Sequence, residues 1–308
     1  MKPPSNPTSG IVLVDKPQGI TSHDVVARAR KSIGTRKVGH AGTLDPMATG
    51  LLVLGVNNST RLLTWVVGLD KEYTATIRLG ADSNTDDADG QVGEPVDAAT
   101  LAAVTDTEIA SGVLALTGPI LQRPSSVSAI KVGGKRAYAL AREGEEVVLA
   151  ERPVTIGAFE VIATRRGEWL DLDVRVECST GTYIRALARD LGAALGVGGH
   201  LTALRRTRIG PFTVGEASGI EADLAQTMLD PAEVASALFD RADLTAQEAI
   251  DLAHGKRISL SVDSPGPIAA VSPEGRLIGL VENIDGRAHV LVNFPPDLPP
   301  AATETASE

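Results

Sequence analysis

The sequence predicts an α+β protein with a mixed or antiparallel sheet, flanking helices and a small C-terminal β-barrel-like module. Three observations support this class. Residues 170–178 alternate between apolar and charged side chains, as in a strand with one buried face. Predicted strands and helices do not alternate strictly, which disfavours a doubly wound parallel sheet. From residue 255 to 294, short β-like segments separated by Pro-Glu-Gly and Asp-Gly turns replace the helical patterns.

The N-terminal elements follow from apolar spacing and turn residues. Residues 10–15 form a predicted buried strand that ends at the turn Lys16–Gly19. Ser22 is the predicted N-cap of the next helix, and Gly34 is its predicted C-terminal stop. The segment 39–50 contains glycines and no periodicity. A short strand at 51–56, a short helix at 59–67 and an alternating strand at 71–79 are then predicted.

The central and C-terminal elements are separated by charged loops. An acidic loop at 82–93 precedes a predicted helix at 98–116, and a basic, exposed loop or hairpin covers 122–135. The later predicted elements are a strand at 154–161, the strand at 170–178, a helix at 182–195, an acidic and partly helical region at 216–251, and short strands at 268–272, 277–282 and 288–293.

Charge is distributed unevenly along the chain. The formal net charge is −10, yet residues 1–60 hold seven basic and three acidic side chains, and residues 120–142 hold five basic side chains and no acidic one. A third basic stretch lies at 185–208. Because phosphate binding depends on the local field rather than on the total charge, these segments predict a nucleic-acid-binding face if they converge. For any one segment alone, solvated surface charge is the simpler interpretation.

Several classes of site are excluded by the residues present. A single cysteine, Cys178, permits no internal disulfide and fits a reducing cytoplasm. No apolar run reaches the roughly 20 residues that span a bilayer. The sequence contains no phosphate loop, no nucleophile-elbow serine motif and no paired metal-binding histidines. We therefore expect no cofactor, no metal and no membrane contact.

Gly39–Gly50 is the segment best suited to hold a catalytic group. Its glycines allow tight bends and the close approach of a ligand. Pro46 biases the residue before it, Asp45, towards an extended conformation. An acid held in this way, in a segment that is otherwise uncharged, predicts a fixed carboxylate in a pocket. The alternative is an ordinary Asp-Pro turn, which is the commoner structure for that dipeptide taken alone.

Two further residues are candidates for the same site. Tyr73 lies on the apolar face of the strand at 71–79, where an ordinary core tyrosine is the alternative. Arg185 lies in the first turn of a predicted helix, where the helix dipole disfavours a cation. An anionic partner would offset that cost, and Asp45 is a candidate; the alternative is a solvated surface arginine. All the tyrosines adjoin basic residues, as in sites that stack bases, and they are Tyr73, Tyr138 and Tyr183.

Gly39–Gly50 closely resembles the catalytic motif of the bacterial tRNA pseudouridine-55 synthases, the TruB family. The resemblance continues in the same order through most of the chain, which makes it far more specific than one short motif. The other matching motifs are Gly10–Pro17, Lys71–Tyr73, Asp86–Gly90, Arg123–Lys131, Gly134–Tyr138, Gly181–Arg185 and His200–Arg206. The resemblance implies the pseudouridine synthase fold and a C-terminal PUA-type RNA-binding module.

The resemblance also implies a role for each matching residue. Asp45 corresponds to the essential aspartate, Tyr73 to the active-site tyrosine and Arg185 to the arginine that pairs with the aspartate. His40 corresponds to a histidine that holds the T-loop of tRNA after the target base has left the stack. The remaining substrate-binding residues are Lys16, Tyr183 and Leu204 in the pocket, and Lys131 and Arg136 in an RNA-binding insertion at about 120–150.

The implied reaction isomerises uridine 55 of tRNA to pseudouridine. The C1′–N1 bond breaks and C1′ rejoins C5, so atoms are conserved and no redox cofactor is needed. The base must first leave the stacked loop, at a cost of a few kcal/mol. An ionised Asp45 attacks the sugar, attacks the base or accepts a proton, and these options stay open at this point.

The implied partner is tRNA, contacted through its T-arm by a cytoplasmic monomer that needs no protein partner. Two alternatives are a non-catalytic RNA-binding or tRNA-folding protein of the same architecture and a synthase for another RNA. The implied segments are a disordered lead at 1–9, a catalytic domain at 10–243, a PUA-like module at 244–295 and a disordered tail at 296–308.

Overall fold

The computed structural model of the protein describes residues 8–125, 131–132, 135–136 and 149–297, with only the backbone of the two short pairs. Most of the predicted disordered lead and tail, and most of the predicted RNA-binding insertion with Tyr138, lie outside the described residues. The described ends of the lead and the tail are in contact, because the Ser9 N–H donates to Asp297 Oδ2 at 2.7 Å. The chain divides into two compact units. The first unit comprises Met1–Pro46, Gly50–Val67 and Gly210–Glu308, and the second comprises Met47–Thr49 and Gly68–Ile209.

The helices are short and mostly amphipathic. Within the described residues they are α1 (Ser22–Ile33), α2 (Leu63–Gly68), α3 (Ala98–Ala103), α4 (Asp106–Ala115), α5 (Ile184–Ala194), α6 (Pro231–Leu238) and α7 (Ala246–Ala253). A 3₁₀ helix at Asn57–Leu62 precedes α2. None of the described helices is long and apolar enough to cross a membrane.

Several helix boundaries differ from the sequence prediction. The short helix predicted at 59–67 is a 3₁₀ helix at Asn57–Leu62 that continues as an α-helix at Leu63–Gly68. Thr21, not Ser22, is the N-cap of α1, because its side chain accepts from the Asp24 N–H while the Asp24 carboxylate accepts from the Thr21 N–H. The single helix predicted at 98–116 is also wrong. Thr105 forms the same reciprocal capping arrangement with Glu108, which starts α4 and separates it from α3. Gly34 ends α1 with φ +80°, as predicted.

The strands account for most of the fold. In chain order they are β1 (Gly10–Lys16), β2 (Val38–Ala41), β3 (Thr49–Val56), β4 (Lys71–Leu79), β5 (Gly118–Gln122), β6 (Lys131–Val132), β7 (Lys135–Arg136), β8 (Arg152–Arg166), β9 (Leu170–Cys178), β10 (Gly199–Ile209), β11 (Phe212–Thr213), β12 (Ser218–Gly219), β13 (Asp240–Asp243), β14 (Ile268–Val271), β15 (Leu277–Ile284) and β16 (Arg287–Asn293).

The first unit contains a mixed sheet covered by α1. β1 pairs antiparallel with β3 and parallel with β12, and β2 pairs antiparallel with β3. Apolar residues of α1 pack against these strands, and the buried residues of this core are Val12, Val14, Val25, Val26, Ala29, Ile33, Val38, Leu52, Leu54, Val56 and Leu224. The arrangement brings the turn after β1 next to the loop between β2 and β3.

The C-terminal part of the first unit forms a four-stranded sheet in the order β13-β14-β15-β16. β13 and β14 are parallel, and the other pairs are antiparallel. Leu252 of α7 belongs to the apolar core of this sheet, together with Ile268 and Ile278. The predicted short strands are confirmed, whereas the part of the chain that the structure describes contains no closed barrel here.

The second unit contains an antiparallel sheet in the order β10-β4-β9-β8-β5. The alternating burial of β4 and β9 confirms the period-two pattern predicted for both strands. α5 packs on β10 and β4, and α4 packs on α5. The predicted α+β class with a mixed or antiparallel sheet and flanking helices is therefore confirmed within the units.

Candidate active site

Asp45 lies half-buried in the first unit, in the irregular loop between β2 and β3. Hydrogen bonds fix the backbone on both sides of it. The Leu44 N–H donates to Ser22 Oγ at 2.9 Å, and the Ser22 hydroxyl donates to the Leu44 carbonyl at 3.1 Å. The Gly19 N–H donates to the Pro46 carbonyl at 2.8 Å. The backbone of both chain neighbours of Asp45 is therefore fixed by hydrogen bonds, and the predicted role of its carboxylate stays a prediction.

Lys16 is completely buried in the same unit. Its ammonium donates to the carbonyls of Pro17 at 3.0 Å, Ile20 at 2.9 Å and Pro46 at 3.4 Å. These carbonyls help to offset the cost of burying the ammonium. Lys16 thus organises the turn after β1 and contacts the loop that carries Asp45, so the structure brings these two predicted site residues together.

His40 lies half-buried on β2, next to the same loop. Its imidazole packs against that of His23 in a T-shaped arrangement, with ring centroids 5.6 Å apart and an interplanar angle of 78°. His23 is exposed on the first turn of α1. Sequence reasoning assigned no role to His23, and its spacing from His40 gave no signal, because only the packing of α1 on the sheet brings the rings together.

Arg185 lies in the second unit, in the first turn of α5, as predicted. Its side chain is buried, so the alternative of a solvated surface arginine is wrong. Nη1 lies 3.2 Å from Asp87 Oδ2 and donates to the Thr85 carbonyl at 2.8 Å. Asp87 is thus an anionic partner of the kind that the helix position requires. The pairing of Arg185 with Asp45 stays a prediction.

Asp87 is the principal residue that sequence reasoning missed. The acidic loop docks on β10, because the Leu201 N–H donates to the Asp86 carbonyl at 3.0 Å and the Ala88 N–H donates to the Leu201 carbonyl at 2.8 Å. The buried Asp87 carboxylate also accepts from Thr85 Oγ1 at 2.6 Å and the Asp89 N–H at 3.1 Å. These contacts fix the carboxylate that faces Arg185.

The same helix pairs a second time with the acidic loop. Arg189 Nη1 lies 3.2 Å from Asp86 Oδ2. Asp86 adopts φ +62°, a left-handed conformation that aspartate tolerates better than most residues. A sequence signal was present, because Arg185 and Arg189 share one helix face by their spacing of four, and Asp86 and Asp87 are consecutive acids.

Tyr73, Leu204 and Tyr183 also lie in the second unit. Tyr73 is buried on β4, and Leu204 is buried on β10 opposite Ala75. The half-buried Tyr183 is the N-cap of α5. Its N–H donates to Gln122 Oε1 at 2.8 Å, and its carbonyl accepts from Gln122 Nε2 at 3.0 Å.

The sequence predicted an exposed basic loop or hairpin at 122–135, and this prediction is wrong for its first residue, Gln122. Gln122 is buried at the end of β5, and Ser125 is buried as well. The reciprocal amide contact with Tyr183 explains the burial, because both backbone groups of Tyr183 find partners there. Lys131 and Arg136 are opposite each other in the β6–β7 pair, and their predicted RNA contacts stay predictions.

Burial shifts the pKa of two titratable groups that lie close to Tyr73 in the sheet. Burial, and secondarily the charge of Arg206, lower the pKa of Lys71 to about 8. Burial raises the pKa of the Cys178 thiol to about 11. Lys71 and Cys178 are opposite residues of β4 and β9. In the described part of the chain, no group of three or more His, Cys, Asp or Glu residues is placed to hold a metal ion.

Comparison with known families gives matches along most of the chain. Residues 30–184 match the model described as TruB family pseudouridylate synthase (N terminal domain). Residues 185–240 match the tRNA pseudouridylate synthase B C-terminal domain, and residues 239–295 match tRNA Pseudouridine synthase II, C terminal.

Curated relatives and solved structures give concordant results. A protein of Leifsonia xyli subsp. xyli named tRNA pseudouridine synthase B is 59% identical over 294 residues, covering 94% of this chain and 97% of that protein. A protein of the same name from Arthrobacter sp. is 55% identical over 301 residues, with coverages of 94% and 97%. The structure titled "Crystal Structure of a Cbf5-Nop10-Gar1 Complex" matches with a TM-score of 0.68 and 24% identity, covering 93% of this chain and 85% of that chain. At that identity the likeness shows a shared fold.

Proposed function

The chain belongs to the TruB family of pseudouridylate synthases, and we propose that it isomerises uridine 55 in the T-loop of tRNA to pseudouridine. The observation that carries this proposal is Asp45 itself. The aspartate of the family's motif is retained, and hydrogen bonds fix the backbone of both its neighbours. The relatives named tRNA pseudouridine synthase B, matched over nearly the whole chain, support tRNA as the substrate.

Asp45, Tyr73 and Arg185 act as the catalytic residues in this proposal. The ionised carboxylate of Asp45 serves as nucleophile or as proton acceptor while the C1′–N1 bond breaks and C1′ rejoins C5. N1 gains a proton and C5 loses one, so the reaction consumes no second substrate. Tyr73 stacks on the uracil and assists proton transfer at C5, and a cationic Arg185 favours the ionised form of a nearby carboxylate.

The other predicted residues bind the RNA. His40 holds the T-loop after the uridine has left the stack, and Lys16, Tyr183 and Leu204 line the pocket. Lys131 and Arg136 contact phosphates from the insertion at about 120–150. These contacts would offset the free-energy cost of unstacking the base, which is a few kcal/mol. The edge-to-face contact of His40 with His23 supports an ordered position for that imidazole.

We further propose that residues 10–243 form the catalytic domain, that residues 244–295 form a PUA-like RNA-binding module, and that the chain acts alone as a cytoplasmic monomer. The match of residues 239–295 to a synthase C-terminal model supports the module. The extensive coverage of relatives with the same name supports the stand-alone form over one that depends on a guide RNA complex.

The test is to incubate the purified protein alone with unmodified tRNA and to map pseudouridine by position. Conversion at position 55 supports the proposal. Binding of tRNA without conversion would indicate an RNA-folding protein, and conversion only of another RNA would indicate a different substrate. Asp45→Asn keeps the shape of the side chain and removes its charge, so we expect it to lose turnover while keeping most of its affinity for tRNA.

A further inference from the structure

The loop between β2 and β3 has no regular structure of its own around Asp45. Residues 42–48 contain neither strand nor helix, and Gly42 adopts φ +85°. Such a segment depends on contacts from neighbouring elements for its position. A displacement of about 1 Å in a catalytic group is enough to lower a rate by about 100-fold. The contacts that position this loop are therefore relevant to turnover.

Ser22 makes two of these contacts with one residue. Its hydroxyl accepts from the Leu44 N–H at 2.9 Å and donates to the Leu44 carbonyl at 3.1 Å. The side chain is 1% exposed, so water does not replace it easily. One hydroxyl thus satisfies both backbone groups of the residue that directly precedes Asp45, and their loss would leave two buried polar groups without this partner.

The Ser22 hydroxyl is not needed by its own helix. Thr21 caps α1, and Asp24 completes the capping arrangement. At the start of α1, Thr21 and Asp24 therefore stabilise the helix end, whereas the Ser22 hydroxyl contacts the loop between β2 and β3. Removal of the Ser22 hydroxyl leaves the cap intact, so its effect is directed at Leu44.

The position of Pro46 is fixed independently on the other side of Asp45. The Gly19 N–H and the Lys16 ammonium both donate to the Pro46 carbonyl. Removal of the Ser22 hydroxyl therefore breaks the hydrogen bonds to Leu44 on one side of Asp45, whereas the hydrogen bonds to the Pro46 carbonyl on the other side remain. This predicts a shift of the carboxylate rather than collapse of the loop.

We propose that Ser22 is a positioning residue for the reaction, which sets the place of Asp45 through the two hydrogen bonds to Leu44. The inference rests on the proposed role of Asp45. It assigns to a residue of α1 an effect on turnover without contact with the substrate. Binding of tRNA depends on other residues and should change little when the hydroxyl is removed.

The test compares Ser22→Ala with Ser59→Ala, a matched control in the same unit. Ser59 is 0% exposed, and its hydroxyl has no hydrogen-bond partner among the described residues. For each purified variant, kcat and KM for tRNA, tRNA affinity and Tm are measured, with rates taken well below Tm. We expect Ser22→Ala to lower kcat by about 10- to 100-fold with KM within about threefold of wild type. Ser59→Ala should match wild type.

Two further variants make every outcome informative. Ser22→Thr keeps the hydroxyl and should restore most of kcat, whereas Ser22→Cys keeps the volume with weak hydrogen bonding and should resemble Ser22→Ala, which covers the case in which alanine fails to fold. A Ser22→Ala or Ser22→Cys protein with kcat within twofold of wild type would overturn the proposal, as would a rise in KM alone or a loss that threonine does not restore.

Asp45→Asn is measured in parallel to separate the two levels of inference. If Asp45→Asn is inactive and Ser22→Ala is normal, the role of Ser22 is refuted and the role of Asp45 stands. If Asp45→Asn retains turnover, the proposed function of Asp45 is refuted and the positioning role of Ser22 falls with it.

Discussion

Replacement of Asp87 by asparagine probes the charge that faces Arg185. The two side chains are 6% and 3% exposed, and Arg185 Nη1 lies 3.2 Å from Asp87 Oδ2. Asparagine preserves the size of the side chain and an acceptor for Thr85 Oγ1 and the Asp89 N–H. The substitution therefore removes the negative charge with little change in shape.

The magnitude follows from the distance and the burial. At an effective dielectric constant of about 20, unit charges at this separation attract by about 5 kcal/mol. Part of this is offset, because the Thr85 carbonyl still accepts from Arg185 and a neutral amide is less costly to bury than a carboxylate. Breaking a buried ion pair costs about 3 kcal/mol or more. We therefore expect the free energy of unfolding of Asp87→Asn to fall by about 3 kcal/mol.

The effect on turnover has the same origin. Without the charge of Asp87, the guanidinium of Arg185 is held less firmly. A loss of about 3 kcal/mol in the stabilisation of the transition state would lower kcat on the order of 100-fold. Urea unfolding and kcat with tRNA measure the two quantities. Asp86→Asn is the matched control. Asp86 is 11% exposed, but its partner Arg189 is 28% exposed and also pairs with Asp190 at 2.8 Å, so we expect a smaller loss, of about 1 kcal/mol. Wild-type kcat and stability in Asp87→Asn, or equal effects at both positions, would refute the reasoning.

Two other substitutions test charges of the second unit. Arg185→Lys should lower kcat by at least about 10-fold, because an ammonium does not reproduce the planar geometry with which the guanidinium contacts Asp87 and Thr85; near-normal kcat would argue against this. Lys71→Met tests the lowered pKa of about 8. Between pH 8 and the ordinary value of 10.5 the unfolded chain binds more protons at Lys71 than the folded protein, so wild-type stability should rise relative to the variant as pH increases. Urea unfolding at pH 7.5, 9 and 10 measures this difference, and a difference independent of pH would contradict it.

The strands β4 and β9, which alternate regularly between buried and partly exposed residues, were predictable from the sequence, whereas β10 was not predicted. Their period of two depends only on the alternate directions of successive side chains, and the bounds 71–79 were correct to the residue. The strand predicted at 154–161 is longer, Arg152–Arg166, because its exposed ends carry no apolar alternation. Local periodicity therefore locates the strand but underestimates its length, because the ends of the strand are held by backbone pairing alone.

Helix ends were less well predicted, although the signals were present. A threonine followed three residues later by an acid occurs at Thr21–Asp24 and again at Thr105–Glu108, and both pairs form capping arrangements. Giving these pairs more weight would have placed the cap of α1 correctly and divided the helix at 98–116. The apolar pattern alone does not show the boundary between α3 and α4, because buried apolar residues lie on both sides of it, Leu101 in α3 and Ile109 in α4.

The candidate site was predictable where it follows from a motif and unpredictable where it depends on packing. The position of Asp45 in an irregular segment and the first-turn position of Arg185 followed from the sequence. Asp87, Gln122 and Ser22 contact residues that are 98, 61 and 22 positions away, respectively. Contacts over such separations are set by the docking of whole elements. The spacing of Arg185 and Arg189 and the consecutive acids Asp86 and Asp87 indicate which residues are able to pair, but not that the two segments meet.

The most direct test is pseudouridine mapping on unmodified tRNA incubated with the purified protein alone, with wild type and Asp45→Asn side by side. The affinity of both proteins for the same tRNA is measured in parallel by separating bound from free tRNA. We expect pseudouridine at position 55 with wild type, none with Asp45→Asn, and similar tRNA affinity for both. Conversion by Asp45→Asn, or tRNA left unmodified by the folded wild type, would contradict the assignment of Asp45 as the catalytic carboxylate.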